Sequence, residues 1–172
     1  MDGIVRRGVL VGMLLAIAIS GTASAKNAAV DTARGSGTSA SGSTFSFSAT
    51  AGLNGEDATG TMTETGPTYT VRGEVRCLEV VGRRAVLKGV VTESDIPDGS
   101  TGTVGWTMYF VVEDHGKRGA GDRFSGWYGG TEDPCPADFT EVTPPPIASG
   151  DIVVTDCVAL SKNRKHCART RR

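Results

Sequence analysis

The sequence predicts an all-β fold: an antiparallel meander of about seven strands closed as an up-and-down barrel, with a β-sandwich as the alternative. The composition is rich in glycine (24 residues), and Thr, Val and Ser recur in short alternating runs, which favours strands and turns. No helical period is present after the first 25 residues. Short turns separate most of the runs, so strands adjacent in sequence are expected to pair.

The first 25 residues have the three parts of a secretory signal peptide. Two arginines precede an apolar run from Gly8 to Ile19, and Ala23-Ser24-Ala25 allows cleavage before Lys26. This run is too short to span a bilayer, which requires about 20 apolar residues. We therefore expect residues 1–25 to be removed and the mature chain to be secreted without a transmembrane anchor.

The mature chain is predicted to begin with a flexible leader, residues 26–43, because these residues are small and polar and have no apolar period. The β domain is predicted to span residues 44–158. Its first strand, TFSFSATA, directs one alternating set of residues inward: Phe45, Phe47, Ala49 and Ala51. The next strand, Ala58 to Glu64, directs inward Ala58, Gly60 and Met62.

A long hairpin from Tyr69 to Thr92 is predicted at the centre of the chain. A three-residue loop, Gly82-Arg83-Arg84, separates charged from apolar residues better than a two-residue loop does. This register pairs Val81 with Ala85 and places Cys77 opposite Gly89, facing inward. The inward set is then Val71, Gly73, Val75, Cys77, Ala85, Leu87, Gly89 and Val91, and the outward apolar set is Leu78, Val80, Val86 and Val90.

Three more strands are predicted after the hairpin. The clearest alternation in the sequence directs inward Val104, Trp106, Met108, Phe110 and Val112. A glycine-rich connection, Asp114 to Asp122, leads to the strand DRFSGWY with Phe124 in the core. The region Gly129 to Gly150 holds five of the seven prolines and is predicted to be a loop. The last strand, Asp151 to Cys157, directs inward Ile152 and Val154.

Four cysteines are predicted to form disulfides because the chain is expected to be exported: Cys77, Cys135, Cys157 and Cys167. We favour Cys77–Cys135, which ties a strand to a long loop, and Cys157–Cys167, which ties the tail to the last strand. The main competing bond is Cys135–Cys157. With two histidines and no CxxC motif, the sequence offers little for a zinc site, and no metal or cofactor is predicted.

Four segments carry a resemblance to a known family: TFSFSA, VRGEVRCLEVVGRRAVLKGVV, VVEDHGKRGAGDRFSG and SGDIVVTDC. Their order resembles that of a domain of unknown function widespread in secreted actinobacterial proteins, with the motifs CL-x-V-x-G-x-x-A and V-x-D-x-G-x-x-G-x-x-D. The resemblance spans most of the chain from Thr44 to Cys157. It implies a secreted β-barrel-like domain and brings no catalytic residues and no ligand. The basic tail with Cys167 departs from the family pattern.

The Asp114–Asp122 connection is the best candidate for chemistry, since it combines two carboxylates, His115 and three glycines. A tight turn requires the same residue types, and the oxygen spacing of an EF-hand is absent. No nucleophile is placed beside His115, so no catalytic residue is predicted. Trp106 is in phase with the core, whereas Trp127 is out of phase with Phe124 and is predicted to lie exposed at a rim, where it is the better candidate for binding a partner.

Residues 159–172 are predicted to form a basic tail, with a net charge of +6 against −8 for the rest of the mature chain. Such asymmetry indicates attachment to an anionic surface such as a cell-wall polymer, and there is no strong nucleic-acid signal. The alternative is a solvated tail that folds back on its own acidic domain. The candidate contacts are Lys162, Arg164, Lys165 and Arg169.

These observations together predict a secreted, non-enzymatic module that binds a cell-surface polymer or a small partner. The alternative is a secreted hydrolase with an aspartate-based site in the loops 95–102 and 114–122. Catalysis requires a convergent set of acid, base or nucleophilic groups, and the sequence offers only scattered Asp and Glu. The binding function is therefore preferred.

Overall fold

The computed structural model describes residues 30–52, 55, 57–97, 102–116, 119–129, 142–161 and 164–169. The predicted signal peptide, residues 1–25, lies outside these ranges. The described residues contain no helix that is long and apolar enough to cross a membrane. They form ten strands: β1 Asp31–Thr38, β2 Thr44–Ala51, β3 Thr59–Thr65, β4 Thr70–Val81, β5 Arg84–Ser94, β6 Thr107–Glu113, β7 Arg123–Phe124, β8 Tyr128–Gly129, β9 Ser149–Ser161 and β10 Arg164–Arg169.

The strands form one antiparallel sheet that curls into a nearly closed barrel. The order across the sheet is β10-β9-β1-β2-β3-β4-β5-β6-β7, and β8 pairs with β6. The predicted all-β meander and barrel are confirmed. The larger number of strands arises from β1 and β10, which lie outside the predicted domain, and from the strand DRFSGWY, which is divided into β7 and β8.

Aromatic rings fill the middle of the barrel. Phe45 stacks on Phe124 with ring centroids 4.2 Å apart, and Phe110 packs edge-on against Phe47 at 5.3 Å and against Phe124 at 5.4 Å. Such rings contribute large buried apolar areas. The inward positions predicted for several strands are confirmed by burial in this core: Phe45, Phe47, Ala49, Ala51, Met62, Phe110, Val112, Phe124, Ile152 and Val154.

Strand β1, residues 31–38, lies within the predicted flexible leader, residues 26–43, so that prediction is wrong for this part of the chain. β1 pairs with β2 on one side and with β9 on the other. Its packing depends on small residues, such as the buried Ala33, and not on large apolar side chains. A Cβ atom added at Gly35 would lie 2.9 Å from side-chain atoms of both Phe47 and Ile152, so glycine lets these two residues approach the strand. A strand built in this way has no apolar period in its sequence.

The predicted register of the central hairpin is wrong. The loop has two residues, Gly82 and Arg83, and Val81 pairs with Arg84. Gly82 has a φ of +63°, which a type II′ turn favours at its first central position. The two-residue loop is compatible with an apolar core because a β-bulge changes the phase of β4 farther along the strand.

The bulge lies between Val75 and Cys77, where β4 gains one unpaired residue, Arg76. Cys77 therefore lies opposite Lys88 and not opposite Gly89. Leu78, predicted to face outward, belongs to the core cluster, and Cys77 is buried outside that cluster. Val80 also packs against the core. The inward positions on β5 are confirmed for Ala85, Leu87 and Val91.

The strand predicted to alternate from Val104 begins three residues too early, because β6 begins at Thr107. Val104 and Trp106 are 62% and 42% exposed, because they lie in a turn and the strand begins at Thr107. The turn is closed by a hydrogen bond from the Trp106 N–H to the Thr103 carbonyl oxygen, at 3.1 Å. The prediction that Trp106 belongs to the core is therefore wrong.

The C-terminal boundary also differs from the prediction. β9 continues to Ser161, and β10 folds back to pair with it, so the predicted basic tail contains a strand. Cys77 and Cys157 are both disulfide-bonded. Cys135 and the side chain of Cys167 lie outside the described part of the chain. The pairing of the four cysteines therefore stays a prediction.

Candidate functional site

A cavity lies at one end of the barrel. The β1–β2 turn, the β3–β4 turn and the β5–β6 connection all lie at this end, because the strands that they join are antiparallel neighbours. The cavity has a volume of about 270 Å³ and opens to solvent. It is lined by Glu64, Tyr69, Val71, Ile96, Met108 and Trp127.

Four of the six described residues that line the cavity are apolar. Val71 and Met108 are buried with Val91 in a small cluster that is separate from the phenylalanine core, and Ile96 packs against this cluster. Trp127 contacts both clusters and stacks on Phe110, with ring centroids 6.1 Å apart. Trp127 therefore forms the boundary between the packed core and the cavity.

Glu64 is the acidic residue of the cavity. It lies on the inner face of β3, in phase with Gly60 and Met62, and only 6% of its surface is exposed. Its Oε1 atom accepts hydrogen bonds from the Ser43 hydroxyl at 2.6 Å and from the Tyr69 hydroxyl at 3.1 Å. Among the described residues, none donates to Oε2 and no cationic side chain contacts Glu64. Such a group is costly to bury, because a carboxylate removed from water requires compensating partners.

Ser43 is held by other serines in the β1–β2 turn. Its hydroxyl lies 2.8 Å from that of Ser39, which in turn lies 2.8 Å from that of Ser41. Ser39 and Ser43 are buried and Ser41 is exposed. A chain of hydroxyl groups therefore connects solvent to the buried carboxylate of Glu64.

Tyr69 stays protonated over a wide range of pH. Burial is the main cause that raises the pKa of its hydroxyl group, and the negative charge of Glu64 and the hydrogen bond to Glu64 raise it further, while a hydrogen bond with Ser43 lowers it. The neutral phenol can therefore keep donating to Glu64. This arrangement provides hydrogen-bond donors to Glu64 but no positive charge.

Sequence reasoning identified one residue of the cavity and missed its carboxylate. Trp127 was predicted to be exposed at a rim, and it is instead half-buried in the cavity wall. Glu64 ends the predicted strand from Ala58 and shares the phase of the inward residues Gly60 and Met62. An acidic residue in the inward phase of a strand was the signal that could have identified it.

Asp114 and Asp122 help to close the barrel. The Ile152 and Val154 N–H groups on β9 point away from β1, and they donate to Asp122 Oδ2 at 2.7 Å and to Asp114 Oδ2 at 3.1 Å. The other oxygens, Oδ1 of Asp122 and of Asp114, accept from the N–H groups of His115 and Gly116. Both aspartates are buried. They thus take the place of a neighbouring strand, and this role does not favour the hydrolase alternative.

Burial is also the main cause that raises the pKa of Asp122. The hydrogen bonds from the Ile152 and His115 N–H groups lower it, and the nearby carboxylates of Asp114 and Asp151 raise it. Burial likewise raises the pKa of Asp31 on β1, which accepts a hydrogen bond from the Cys157 N–H at 2.7 Å. Both carboxylates accept hydrogen bonds from the β9 backbone.

Among the described residues, no other candidate from the sequence lines the cavity. His115 is paired with Glu113 through its Nε2 atom at 3.1 Å. In the described ranges, no group of three or more His, Cys, Asp or Glu residues could hold a metal ion. Lys162 and the side chains of Arg164, Lys165 and Arg169 lie outside the described residues, although the backbone of the last three belongs to β10.

The functional assignment depends on the cavity itself. The resemblance of the hairpin and of the Asp114–Asp122 connection to a secreted actinobacterial domain of unknown function stays a prediction. Comparisons of this chain with protein-family models, with curated proteins and with solved structures found no match.

Proposed function

We propose that this protein is a secreted, non-enzymatic β-barrel that binds a small, largely apolar molecule in the cavity at the barrel end. The observation that supports this most directly is an open cavity, lined mostly by apolar residues, in a barrel whose middle is filled with aromatic rings. Small-molecule sites are usually concave, mainly apolar and supplied with a few convergent polar groups. The cavity has that composition, with Glu64 and Tyr69 as its polar groups.

The volume of the cavity limits the size of the ligand. At about 270 Å³ it lies just below the range of roughly 300–1,000 Å³ that is typical of drug-sized ligands. A molecule with one ring or a short alkyl chain would fit. Removing its apolar surface from water stabilises the complex by about 25 cal/mol per Å², and the ring of Trp127 provides a flat wall against which it can pack.

The binding function can be tested with a neutral one-ring probe, 2-phenylethanol. We expect saturable changes in tryptophan fluorescence and in the NMR signals of the cavity residues. Ile96→Trp adds bulk to the cavity wall and should abolish these changes. Val104→Trp adds the same ring to an exposed turn and should leave them intact. Unchanged binding by Ile96→Trp would contradict the proposed location.

An anionic cell-surface polymer is a second proposed partner, bound through the predicted basic residues. The observation that favours it is β10, which pairs with β9, so that the backbone of Arg164, Lys165 and Arg169 belongs to the folded sheet. A variant with glutamine at four positions removes the charge: Lys162, Arg164, Lys165 and Arg169. We expect it to be retained less than the wild type on cell-wall material at low salt, and equal retention would exclude this role.

A further inference from the structure

We propose that the ligand of the cavity carries a protonated amine and that Glu64 Oε2 accepts hydrogen bonds from it. This inference rests on the proposed function, because it names the class of molecule that would be bound at the same site. The ligand would have a small apolar body, packed against Trp127 and Met108, and a cationic head directed at Glu64.

The first argument is the incomplete hydrogen bonding of Glu64. An ionised carboxylate has about four acceptor positions on its two oxygens. Oε1 accepts two hydrogen bonds, from Ser43 and Tyr69, whereas Oε2 accepts none from any described residue. Glu64 is more than nine-tenths buried and lines the cavity. The unused oxygen is therefore available to a molecule that enters the cavity.

The second argument is charge. The neighbouring ion pairs Arg72–Glu93 and Arg76–Glu74 are largely exposed, and their arginines do not line the cavity. Among the described residues of the cavity wall, Glu64 and Tyr69 are the ionisable ones. Ser43 and Tyr69 donate hydrogen bonds but carry no positive charge. An amine would supply both the donors and the charge that the buried carboxylate lacks, and a ligand carboxylate would be repelled.

The third argument is the aromatic character of the wall. The rings of Tyr69 and Trp127 line the same cavity as Glu64. Aromatic faces attract cations, and the attraction increases where water is excluded. Carboxylate and aromatic rings therefore favour the same head group, and the small volume favours a primary amine on one ring or on a short chain.

The test compares three probes that share a phenyl ring and a two-carbon chain: 2-phenylethylamine, 2-phenylethanol and phenylacetate. Their dissociation constants would be measured by calorimetry at pH 7 and at low and moderate salt. We expect the amine to bind roughly tenfold to a hundredfold more tightly than the alcohol, as for a hydrogen bond to a charged group. Phenylacetate should bind most weakly.

Glu64→Gln keeps the shape of the side chain and removes its charge. It should abolish the preference for the amine, so that the amine and the alcohol bind to the variant with similar affinity. Glu74→Gln, on the exposed side of β4, is the matched control and should change neither affinity. If Glu64→Gln does not fold, the ratio of amine to alcohol affinity in the wild type still decides the question.

The outcomes separate this inference from the proposed function. Equal affinity of the wild type for amine and alcohol, or an amine preference that persists in Glu64→Gln, would overturn the inference and leave the cavity as a ligand site. Failure of all three probes to bind would overturn the proposed function as well.

Discussion

At the scale of single residues, Glu64 and its hydroxyl donors are the part of the cavity most sensitive to substitution. Ser43 and Tyr69 both donate to the same oxygen of a carboxylate that is almost fully removed from solvent. Removing one partner of a buried polar group leaves the other with its desolvation cost uncompensated. The serine turn and Tyr69 are therefore expected to act on both stability and binding.

Replacing Ser43 with alanine tests this dependence. The substitution removes the shorter of the two hydrogen bonds to Glu64, and we expect the free energy of unfolding to fall by about 1–3 kcal/mol. Urea denaturation followed by fluorescence would measure it. Ser46→Ala, at an exposed position on β2, is the control and should have little effect. Similar stability of the two variants would show that Ser43 does not support the carboxylate.

The aspartates that close the barrel give a second prediction. In Asp122→Asn the side-chain NH₂ group must face a backbone N–H, from either Ile152 or His115, so one hydrogen bond is lost. We expect a decrease of about 1–3 kcal/mol in the free energy of unfolding. Asp57→Asn, at an exposed turn position whose φ of +51° asparagine also tolerates, should cost much less, and an equal cost would contradict the closing role.

The same variant should change the pH dependence of stability. Because the pKa of Asp122 is raised above its ordinary value of 3.8, the folded protein binds more protons than the unfolded chain just above pH 3.8. This residue therefore lowers the free energy of unfolding as the pH rises through that window. The wild type should lose more stability than Asp122→Asn between pH 4 and the raised pKa, as measured by urea denaturation. Parallel curves would contradict this.

At the scale of strands, small residues and one bulge account for the features that the sequence pattern did not predict. β2, β6 and β9 alternate large apolar residues with polar or outward ones, and their core positions could be read directly from that pattern. β1 has glycine and alanine in those positions. In β4 the bulge at Arg76 changes the phase within the strand, and separation of charge between faces cannot reveal such a change.

Gly35→Ala tests the packing of β1. The added Cβ would lie 2.9 Å from atoms of Phe47 and Ile152, so these side chains would have to shift. Overpacking of this kind typically costs about 1–3 kcal/mol. Thermal unfolding would measure the loss, and Ser36→Ala, at the next and exposed position, serves as control. A Gly35→Ala variant as stable as the wild type would show that the contact is easily relieved.

At the scale of the whole molecule, the sequence predicted the barrel but only part of the candidate site. Trp127 is identified from the sequence because it does not share the inward alternation of Phe124 along the predicted strand. Glu64 was not identified, because its role depends on Ser43 and Tyr69, which reach it from two other segments of the chain. A cavity between the ends of several strands has no local sequence pattern, whereas the inward face of one strand does.

The disulfide pairing is a prediction at this scale. The Cys157 N–H donates to Asp31 on β1, so Cys157 and the opposing Cys167 form a non-hydrogen-bonded pair with Cα atoms about 4.5 Å apart. That separation lies within the range for a disulfide, roughly 4.4–6.8 Å. Peptide mapping without reduction should find Cys157–Cys167, and by elimination Cys77–Cys135. Finding Cys135–Cys157 would contradict both.

The pairing of β1 with β9 affects how the polypeptide acquires its structure. Thr32 of β1 pairs with Thr155 of β9. β1 therefore cannot pair with β9 until nearly the whole chain has been synthesised. The barrel cannot be completed before β9 has been synthesised. Contacts between residues so far apart in sequence also form slowly. Until then β1 has only β2 as a neighbour, and the sheet remains open along that side.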